Sequence, residues 1–541
     1  MPSTDRIDQL RAKREGYRDE AVFHKFLIDA YLGTGGFAGK VKPPTYGYLG
    51  RAAEVYSSDT LNKGLVQVDQ DGAEVTSYLD RFHREDEAKY AARQDVAYYL
   101  NYVAPIQDLL LSYVEKNPIS RSEEAKARLE KWLQDCDGLG TSWEVMRHEV
   151  IDPRAALLGY CPVLIDAPAA PPGLTRGQAQ KLQIRPKALP LFPSNLLDWQ
   201  VSEEGRVEWI KVVTIERRRA SPFEPALTVE RYAIWFPERV IVQEVHIDED
   251  GQETLQPPVE TRHTFGQVPI VFFRHRPSPQ SKIRGVSMVG AVAVIARRLF
   301  NCLSELDEHL RGQVFALLQV PVDSIENLPN LIVGVHNAAA LLDSAKHEYK
   351  YVSPPQSVAD TYEARIEALI KEVYRIARVE FTKPTGNAQS GISRAFEFEQ
   401  TNRGLADFAG QLARGDQETL RLVAKVFGAS PGVIESIRST PPDNFRVEDL
   451  AGDLDNVIKA VSLTLGPTAE MILVLRLLER MLPNLTDEER AAIESELEEF
   501  KNRKVQEDAA DHEARLAAAA AVGEDDEDND EGDDEDNLDA A

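Results

Sequence analysis

The feature that most constrains this chain is a long helix predicted within the segment Val268–Pro321. An apolar strand at Val268–Phe273 leads into a basic, proline-marked loop. A helix of roughly 30 residues then opens at Gly285 and stops before Pro321. A helix that is only half apolar must cover its apolar side with a partner surface. We expect that surface to belong to another copy of the chain, which favours a structural assembly over an enzyme.

Length and cysteine content limit the class of protein further. With 541 residues, the chain exceeds the ~250–300 residues that one core usually serves, so we expect two or more domains. No run reaches the ~18 apolar residues of a membrane helix, and the charged N-terminus shows no secretory signal. The three widely spaced cysteines form neither a disulfide framework nor a CxxC metal motif. Buried free thiols in a reducing cytosol are therefore expected.

The net charge of −27 argues against a protein that grips nucleic acid. The tail Glu524–Asp539 carries twelve acidic and no basic residues, and the rest of the chain still has a net charge of −15. We expect this tail to be disordered, either as a solubilising segment or as a ligand for a basic partner. An acidic wall repels DNA, so such a protein could contact DNA and still let it slide.

Hydrophobic periodicity divides the first half of the chain into helices followed by strands, which predicts an α+β fold. Pro105 should kink or split a helical pattern at Glu87–Asn117. Two more helices are expected at about Ser122–Cys136 and Ser142–Leu158. The strands come next, with the last one closing a single antiparallel sheet: Tyr160–Asp166, Val207–Ile215, a hairpin of Thr228–Phe236 and Arg239–Ile247, and Val268–Phe273.

The second half is predicted to alternate loops and helices. Pro321–Lys350 reads as a loop-rich stretch with short apolar pieces, Leu331–Val335 and Ala338–Leu342, and Tyr349–Pro355 reads as a turn. Ser357 and Asp360 form a plausible capping box for a helix with one apolar face. That face comprises Val358, Tyr362, Ile366, Leu369, Val373 and Ile376. The remaining features are a polar loop at Phe381–Ser390, helices from about Ile392 to Gly428, a boundary at Pro441-Pro442, and helices at 446–510.

None of the motifs that could carry chemistry survives inspection. The glycine-rich run Leu32–Lys40 has Thr34 where a phosphate loop needs its first glycine, and Val41 where it needs Ser or Thr. His148-Glu149 and His347-Glu348 lack the second histidine of a zinc helix. The sequence therefore predicts no catalytic, cofactor-binding or metal-binding residues and no cofactor.

Charged and aromatic residues outside these motifs leave alternatives open. Arg297 and Arg298 of the long helix could face DNA phosphates. They could equally form salt bridges between subunits, with Glu305, Asp307 or Glu308 of a neighbour. The five tryptophans are most simply core or interface residues.

The order of these segments resembles that of the portal, or head–tail connector, proteins of tailed bacteriophages, in a branch catalogued as a domain of unknown function. The likeness covers roughly residues 80–500 and depends on the order and spacing of segments that are degenerate singly. These segments are Tyr90–Arg121, Trp143–Asp166, Leu191–Trp199, Val268–Pro321, Tyr349–Pro355, Ser390–Gln400 and Phe445–Leu454.

The resemblance implies a dodecameric ring at one capsid vertex, through which double-stranded DNA is packaged and ejected. It implies a fold with a wing of helices and antiparallel sheet, long stem helices, a small clip, a helical C-terminal crown and a disordered acidic tail. The corresponding ranges are 1–280 for the wing, 281–316 for the first stem helix, 317–350 for the clip and return stem, 351–445 for the tunnel-loop region and wing helices, 446–522 for the crown and 523–541 for the tail.

The resemblance also implies where DNA would contact the ring. The candidate channel-lining residues are Arg297, Arg298, Glu305, Glu308 and Arg311. The first candidate for the tunnel loop comprises Val352, Ser353, Pro354, Pro355 and Gln356, and the second is Phe381–Ser390. Acidic rings would repel DNA, and sparse arginine rings would brake its phosphates.

The implied partners are other copies of the chain, the major capsid protein, the terminase large subunit, a head–tail adaptor and the DNA, with no membrane. The protein would reside at the capsid vertex of the virion, and in the host cytoplasm during assembly. Two rivals remain. One is a cytosolic adaptor or scaffold that binds basic partners through its acidic tail, and the other is an enzyme with a non-standard site. Loss of function on deleting residues 523–541 would favour the adaptor.

Overall fold

The computed structural model describes most of the first 445 residues. These are residues 3–37, 77–167, 185–219, 221–223, 225–314, 317–322, 338–342, 350–353, 355–379, 391–442 and 445, together with short helical pieces between 492 and 510. The chain divides into two compact units, Met1–Phe445 and Arg446–Ala541. The acidic tail and most of the predicted crown lie outside the described residues. Among the described helices, none is long and apolar enough to cross a bilayer.

The first unit begins with helices, in the order that the sequence predicts. The pattern at 87–117 is two helices, and Pro105 lies in the first turn of the second, where its missing N–H costs little. The Asn101 side chain accepts hydrogen bonds from the backbone of Val103 and Ala104 and so caps that helix. The bounds are α1 Ser3–Arg11, α2 Tyr17–Leu32, α3 Glu87–Val96, α4 Val103–Glu115, α5 Glu123–Gln134, α6 Trp143–Met146, a π-helical turn Arg147–Ile151, and α7 Asp152–Leu158.

The strands form two antiparallel sheets in this part of the chain rather than the single predicted sheet. The larger sheet has the order β4-β5-β6-β7-β8, and β9 also pairs with β7. The smaller sheet has the order β10-β2-β3, so the strand at Val268–Phe273 does not close the larger one. The bounds are β2 Tyr160–Asp166, β3 Lys187–Pro190, β4 Leu196–Val201, β5 Val207–Arg218, β6 Leu227–Trp235, β7 Arg239–Ile247, β8 Glu253–Leu255, β9 Val259–Arg262 and β10 Ile270–Arg274.

The long helix, α8, spans Gly290–Val314 and is shorter than predicted at both ends. It starts late because the preceding loop is bound to α7: Ser287 Oγ donates to the carbonyl of Leu157 at 2.6 Å. A Cβ on Gly285 would lie 2.0 Å from the carbonyl oxygen of Gly159, so the two backbones cross at glycines. The residues before Pro321 are not helical but form strand β11, Leu317–Val322.

A small mixed sheet follows α8. Strand β12 (Ala338–Leu342) runs parallel to β11, and β13 (Lys350–Val352) runs antiparallel to it on the other side. The predicted turn at Tyr349–Pro355 is therefore wrong in its first half, since Lys350–Val352 pairs with β11. The apolar piece Leu331–Val335 lies outside the described residues.

Three helices complete the first unit: α9 Gln356–Ala377, α10 Gly391–Val426 and α11 Pro431–Ser436. The predicted capping box is wrong, because Pro355 is the N-cap residue and Ser357 lies inside the first turn. Helix α10 runs unbroken through its glycines, and Gly415 lets it approach Phe273, whose ring would be 2.8 Å from a Cβ. Two short strands, β1 (Ser120–Arg121) and β14 (Ser439–Thr440), pair across the unit.

One large core joins these layers into an α+β fold. Buried side chains of α2, α4, α5, α7, β2, β10, α8 and α10 belong to a single cluster, in which Trp132 and Trp143 pack at 5.2 Å between ring centroids. Trp235 is buried in a second hydrophobic cluster, which includes residues of the larger sheet. Trp199 is partly buried and packs against that cluster. Burying this apolar area is the main stabilising contribution to the unit.

Candidate functional site

Helix α8 carries every residue predicted to line a channel, and its own packing decides which of them are accessible. At ~1.5 Å per residue its 25 residues extend about 37 Å. Residues at spacings of three and four, including Val292, Ala296, Leu299 and Leu303, are buried in the unit's core. The rest of α8 therefore meets either polar partners, helix α9 or solvent.

A polar network fixes one side of α8 to the segment that precedes α3. Arg297 Nη2 donates to Asp80 Oδ1 at 2.9 Å, and Asn301 Oδ1 accepts from the backbone N–H of Asp80 at 2.7 Å. The Asn301 amide also donates to the carbonyl of Tyr78 at 3.1 Å. Arg297 thus has a structural partner within its own subunit.

The same side of α8 contacts a buried arginine on α3. Arg93 Nε and Nη2 donate to the two carboxylate oxygens of Glu85 at 2.7 and 2.8 Å, and Nη1 donates to Ser304 Oγ at 3.1 Å. The guanidinium lies 3.7 Å from the ring centroid of Phe82. A buried bidentate pair is highly sensitive to loss of either partner. Arg93 is therefore the anchor of this interface, and the sequence pattern did not single it out.

Helix α9 packs along α8 as the second arm of a helical hairpin. Leu369 of α9 shares a buried cluster with Leu299 and Leu303, while His309 Nε2 lies 3.2 Å from the carbonyl oxygen of Pro355 at the other end. The two helices therefore run antiparallel. Two residues of the predicted apolar face of α9, Leu369 and Val373, are buried. The other four are partly exposed: Val358, Tyr362, Ile366 and Ile376.

The five predicted channel residues divide between two sides of α8. Arg298 is half-exposed and pairs with Glu305 of the same helix at 3.4 Å. Glu308 lies 3.3 Å from Lys89 and 4.0 Å from Arg311. The structure therefore gives these residues ion pairs within one chain, whereas the salt-bridge alternative placed their partners on a neighbour. Arg298 and Glu305 lie on the side of α8 next to α9, where Glu305 is hydrogen-bonded to Tyr362 and is only 17% exposed. Arg297, Glu308 and Arg311 lie on the side that faces α3.

The far end of the hairpin leaves apolar side chains in solvent. Leu310 is 38% exposed and Val314 is 72% exposed on α8, and Tyr351 and Val352 are 72% and 39% exposed on β13. Leu317 pairs with Val352 in the small sheet, which brings the last turn of α8 and β13 to the same place. These four residues (Leu310, Val314, Tyr351 and Val352) form what we call the apolar end of the hairpin.

The first tunnel-loop candidate lies at this end rather than in a free loop. Val352 ends β13, Ser353 and Pro355 are exposed, and Gln356 starts α9. Pro354 and the second candidate, Phe381–Ser390, lie outside the described residues. The described part of this connection between β13 and α9 is thus short and fixed to α8 through His309.

The side chains of the described residues offer no cluster of three His, Cys, Asp or Glu that could hold a metal ion. Burial raises the pKa values of the thiols of Cys136 and Cys161 to about 12, so neither is a thiolate nucleophile at neutral pH. In the glycine-rich run, Gly35–Phe37 is a 3₁₀ turn, and a Cβ on Gly36 would clash with Tyr78. This glycine therefore has a packing role.

Comparison of the chain with protein-family models gives no match, and comparison with curated proteins gives none either. Conclusions about function therefore depend on the contacts of α8 and α9 described above.

Proposed function

We propose that this protein is the subunit of a phage portal, a ring at the capsid vertex through which double-stranded DNA enters and leaves the head. The observation that carries this proposal is the α8–α9 hairpin. The middle of α8 is anchored in the subunit through Asn301 and through the Arg93–Ser304 contact, and the end of the hairpin at Val314 exposes apolar residues. Exposed apolar side chains grouped in one place are typical of a surface that another molecule covers.

A second copy of the chain is the occupant that we propose for the apolar end. Repeating one contact between different surfaces of identical subunits produces a closed ring when the rotation closes. Each hairpin would then pack beside the next, and the exposed Val314 and Tyr351 would be buried between neighbours. This arrangement keeps residues 1–280 in the wing, α8 in the stem and the β11–β13 sheet in the clip. It moves α9 to the stem, although the resemblance placed residues 351–445 in the tunnel-loop region and the wing helices.

The charges of α8 suit a channel that contacts DNA weakly. Arg298, which is half-exposed, and Glu305, which is 17% exposed, place opposite charges on one side of α8, and the chain as a whole is acidic. Repeated around a ring, acidic groups would repel the phosphates and sparse arginines would attract them briefly. Such a channel supplies no ATP hydrolysis, so the motor must be a separate terminase. The clip would bind the terminase and later a head–tail adaptor, and the wing would contact the major capsid protein.

A pair of matched variants tests the proposed subunit contact. Leu310→Asp combined with Val314→Asp places charges at the apolar end and should convert rings to small species. The control is Phe223→Asp, because Phe223 is 96% exposed but lies on the loop between β5 and β6, away from the hairpin. Light scattering should show rings for the control. Rings in the double variant, or their loss in the control, would contradict the proposal.

Deletion of residues 523–541 separates the portal from the adaptor hypothesis. A portal ring should assemble without the tail, because the proposed contacts lie on α8 and β13. A protein that remains a monomer or dimer, and loses binding to basic partners when the tail is removed, would be an adaptor. An enzyme would instead lose a measurable activity on substitution of clustered acidic or histidine residues.

A further inference from the structure

A cavity of about 160 Å³ lies in the first unit, where the loop before α8 meets the C-terminal end of α9 and the middle of α10. Its polar wall comprises His275, Arg276, Ser287, Arg378 and Thr401, and none of its lining residues is acidic. A pocket of this size has room for a small ligand.

Arg378 occupies a backbone position that usually belongs to glycine. It ends α9 with φ 58° and ψ 33°, in the left-handed region, and its N–H bonds to the carbonyls of Tyr374 and Arg375. A residue with a Cβ is strained there, so an arginine at this helix end needs a reason beyond capping. The side chain that the arginine brings to the cavity supplies such a reason.

Gly404 on α10 is the complementary exception. A glycine inside a helix destabilises it relative to alanine. A Cβ at position 404 would lie 3.3 Å from Nη1 of Arg378, so the guanidinium rests directly over this glycine. Thr401, one turn earlier, donates its hydroxyl to the carbonyl of Arg378 and holds the strained residue in place. Position 378 has the left-handed backbone that glycine usually adopts, yet it carries an arginine. Position 404 lies inside a helix, where a side chain is usual, yet it is a glycine. Both choices fit a guanidinium group placed in the cavity.

The cavity is positively charged without a counterion in the described residues. No described carboxylate lies within 4.0 Å of the guanidinium of Arg276 or Arg378. His275 Nδ1 lies 2.9 Å from the carbonyl oxygen of Val286, which can only accept, so Nδ1 carries a proton. Burial, and then the charges of Arg276 and Arg378, lower the pKa of His275 to about 4. At neutral pH the imidazole is therefore uncharged, with Nε2 unprotonated.

We propose that this cavity binds free phosphate between Arg276 and Arg378, and that His275 takes up a proton when the anion binds. Guanidinium groups donate paired hydrogen bonds to phosphate oxygens, and two of them match a dianion. The bound charge cancels the positive field of Arg276 and Arg378, which adds to burial in keeping His275 neutral, so the imidazole gains a proton from solvent at Nε2. The groups that face His275 from the described elements are Arg276, Arg378 and the ring of Phe408, 5.2 Å away.

Calorimetric titration with inorganic phosphate at constant ionic strength tests the site. Arg378→Gly should weaken binding about tenfold or more, since it removes a charged donor. The same variant should fold at least as stably as the wild type without phosphate, because glycine adopts φ 58° without strain. The control is Arg375→Gln, one turn earlier on α9 and paired with Glu372 outside the cavity. Equal binding by Arg378→Gly, or equal loss in Arg375→Gln, would overturn the proposal.

Sulfate tests the proton uptake, because it does not titrate near neutral pH as phosphate does. Sulfate affinity should rise as pH falls from 7 to 5 in the wild type. His275→Gln should abolish that rise and keep the Arg378 dependence. A pH-independent affinity in the wild type would refute the proton step, and a duplex oligonucleotide that competes with phosphate would show that DNA, rather than free phosphate, is the ligand.

Discussion

The body of α8, from Gly290 to Ser304, and its last turns, which include Leu310 and Val314, have the same apolar spacing but opposite surroundings. Leu299, in the body, is fully buried, whereas Val314 is 72% exposed. The body meets the core, α9 and the buried Arg93, and the last turns meet solvent in the isolated subunit. An amphipathic pattern therefore shows that a helix needs cover, but not which chain supplies it. We infer that the body stabilises the subunit and that the last turns mediate assembly.

Removing the anchor should have the largest effect on stability. Arg93→Met leaves Glu85 buried without its partner and should lower the free energy of unfolding by about 3–5 kcal/mol, measured by urea denaturation. The control is Lys89→Met on the same helix, whose exposed pair with Glu308 is worth less than about 1 kcal/mol. A cost for Arg93→Met no larger than that of the control would refute the anchoring role.

Truncating one leucine in the body of α8 and one in its last turns compares the two regions directly. Leu299→Ala opens a cavity in the core and should cost about 2–5 kcal/mol. Leu310→Ala should cost less than about 1 kcal/mol in the subunit, because Leu310 is 38% exposed. Thermal unfolding of the subunit in dilute solution measures both. Equal costs would mean that the apolar end is covered within its own chain.

Acid should lower the free energy of unfolding of the first unit through the buried His24 on α2. Helix α2 contacts the start of α8, where Phe23 lies next to Gly290. Burial lowers the pKa of His24 to about 4, from ~6.5 in the unfolded chain. Protons therefore bind the unfolded state more tightly, so stability is full above pH 6.5 and falls as the pH drops toward 4. The loss should approach about 3 kcal/mol. His24→Gln should flatten this part of the stability profile, and an unchanged slope would contradict the assignment.

The ion pair between the half-exposed Arg298 and Glu305 should matter least to folding. Arg298→Glu places two carboxylates on one side of the helix and should cost less than about 1 kcal/mol. Adding Glu305→Arg restores opposite charges and should recover most of that loss. Urea denaturation of the single and double variants measures the coupling free energy. A loss of several kcal/mol would show that this pair belongs to the buried anchor.

Helices and strands could be predicted from the sequence better than the sheets and helices with which they pair. The helices of the first half and the hairpin of β6 and β7 follow from periodicity and turn residues. The strand β11 could not be distinguished from the end of α8, because a short apolar run fits either structure. Pro321 is tolerated there because β13 pairs only with Leu317–Gln319 and so ends before it. Alternation likewise placed β10 in a strand without showing which sheet it joins.

The site was predictable only in part, because its key contacts join residues far apart in the chain. Helix α8 and its charged residues are visible in the sequence. The pairing of Arg93 with Ser304, and of Arg297 with Asp80, arises from tertiary packing and has no local signature. The same holds for the buried Asp416, which accepts hydrogen bonds from Arg121, Trp143 and Ser439.

The mass of the purified full-length protein in solution, measured by light scattering with negative-stain images of the same peak, tests the central claim most directly. We expect a particle of about twelve subunits with a central hole, formed by closed repetition of one contact. A monomer or dimer at the concentrations where rings should form would contradict it, because the apolar end of the hairpin would then be stable in solvent.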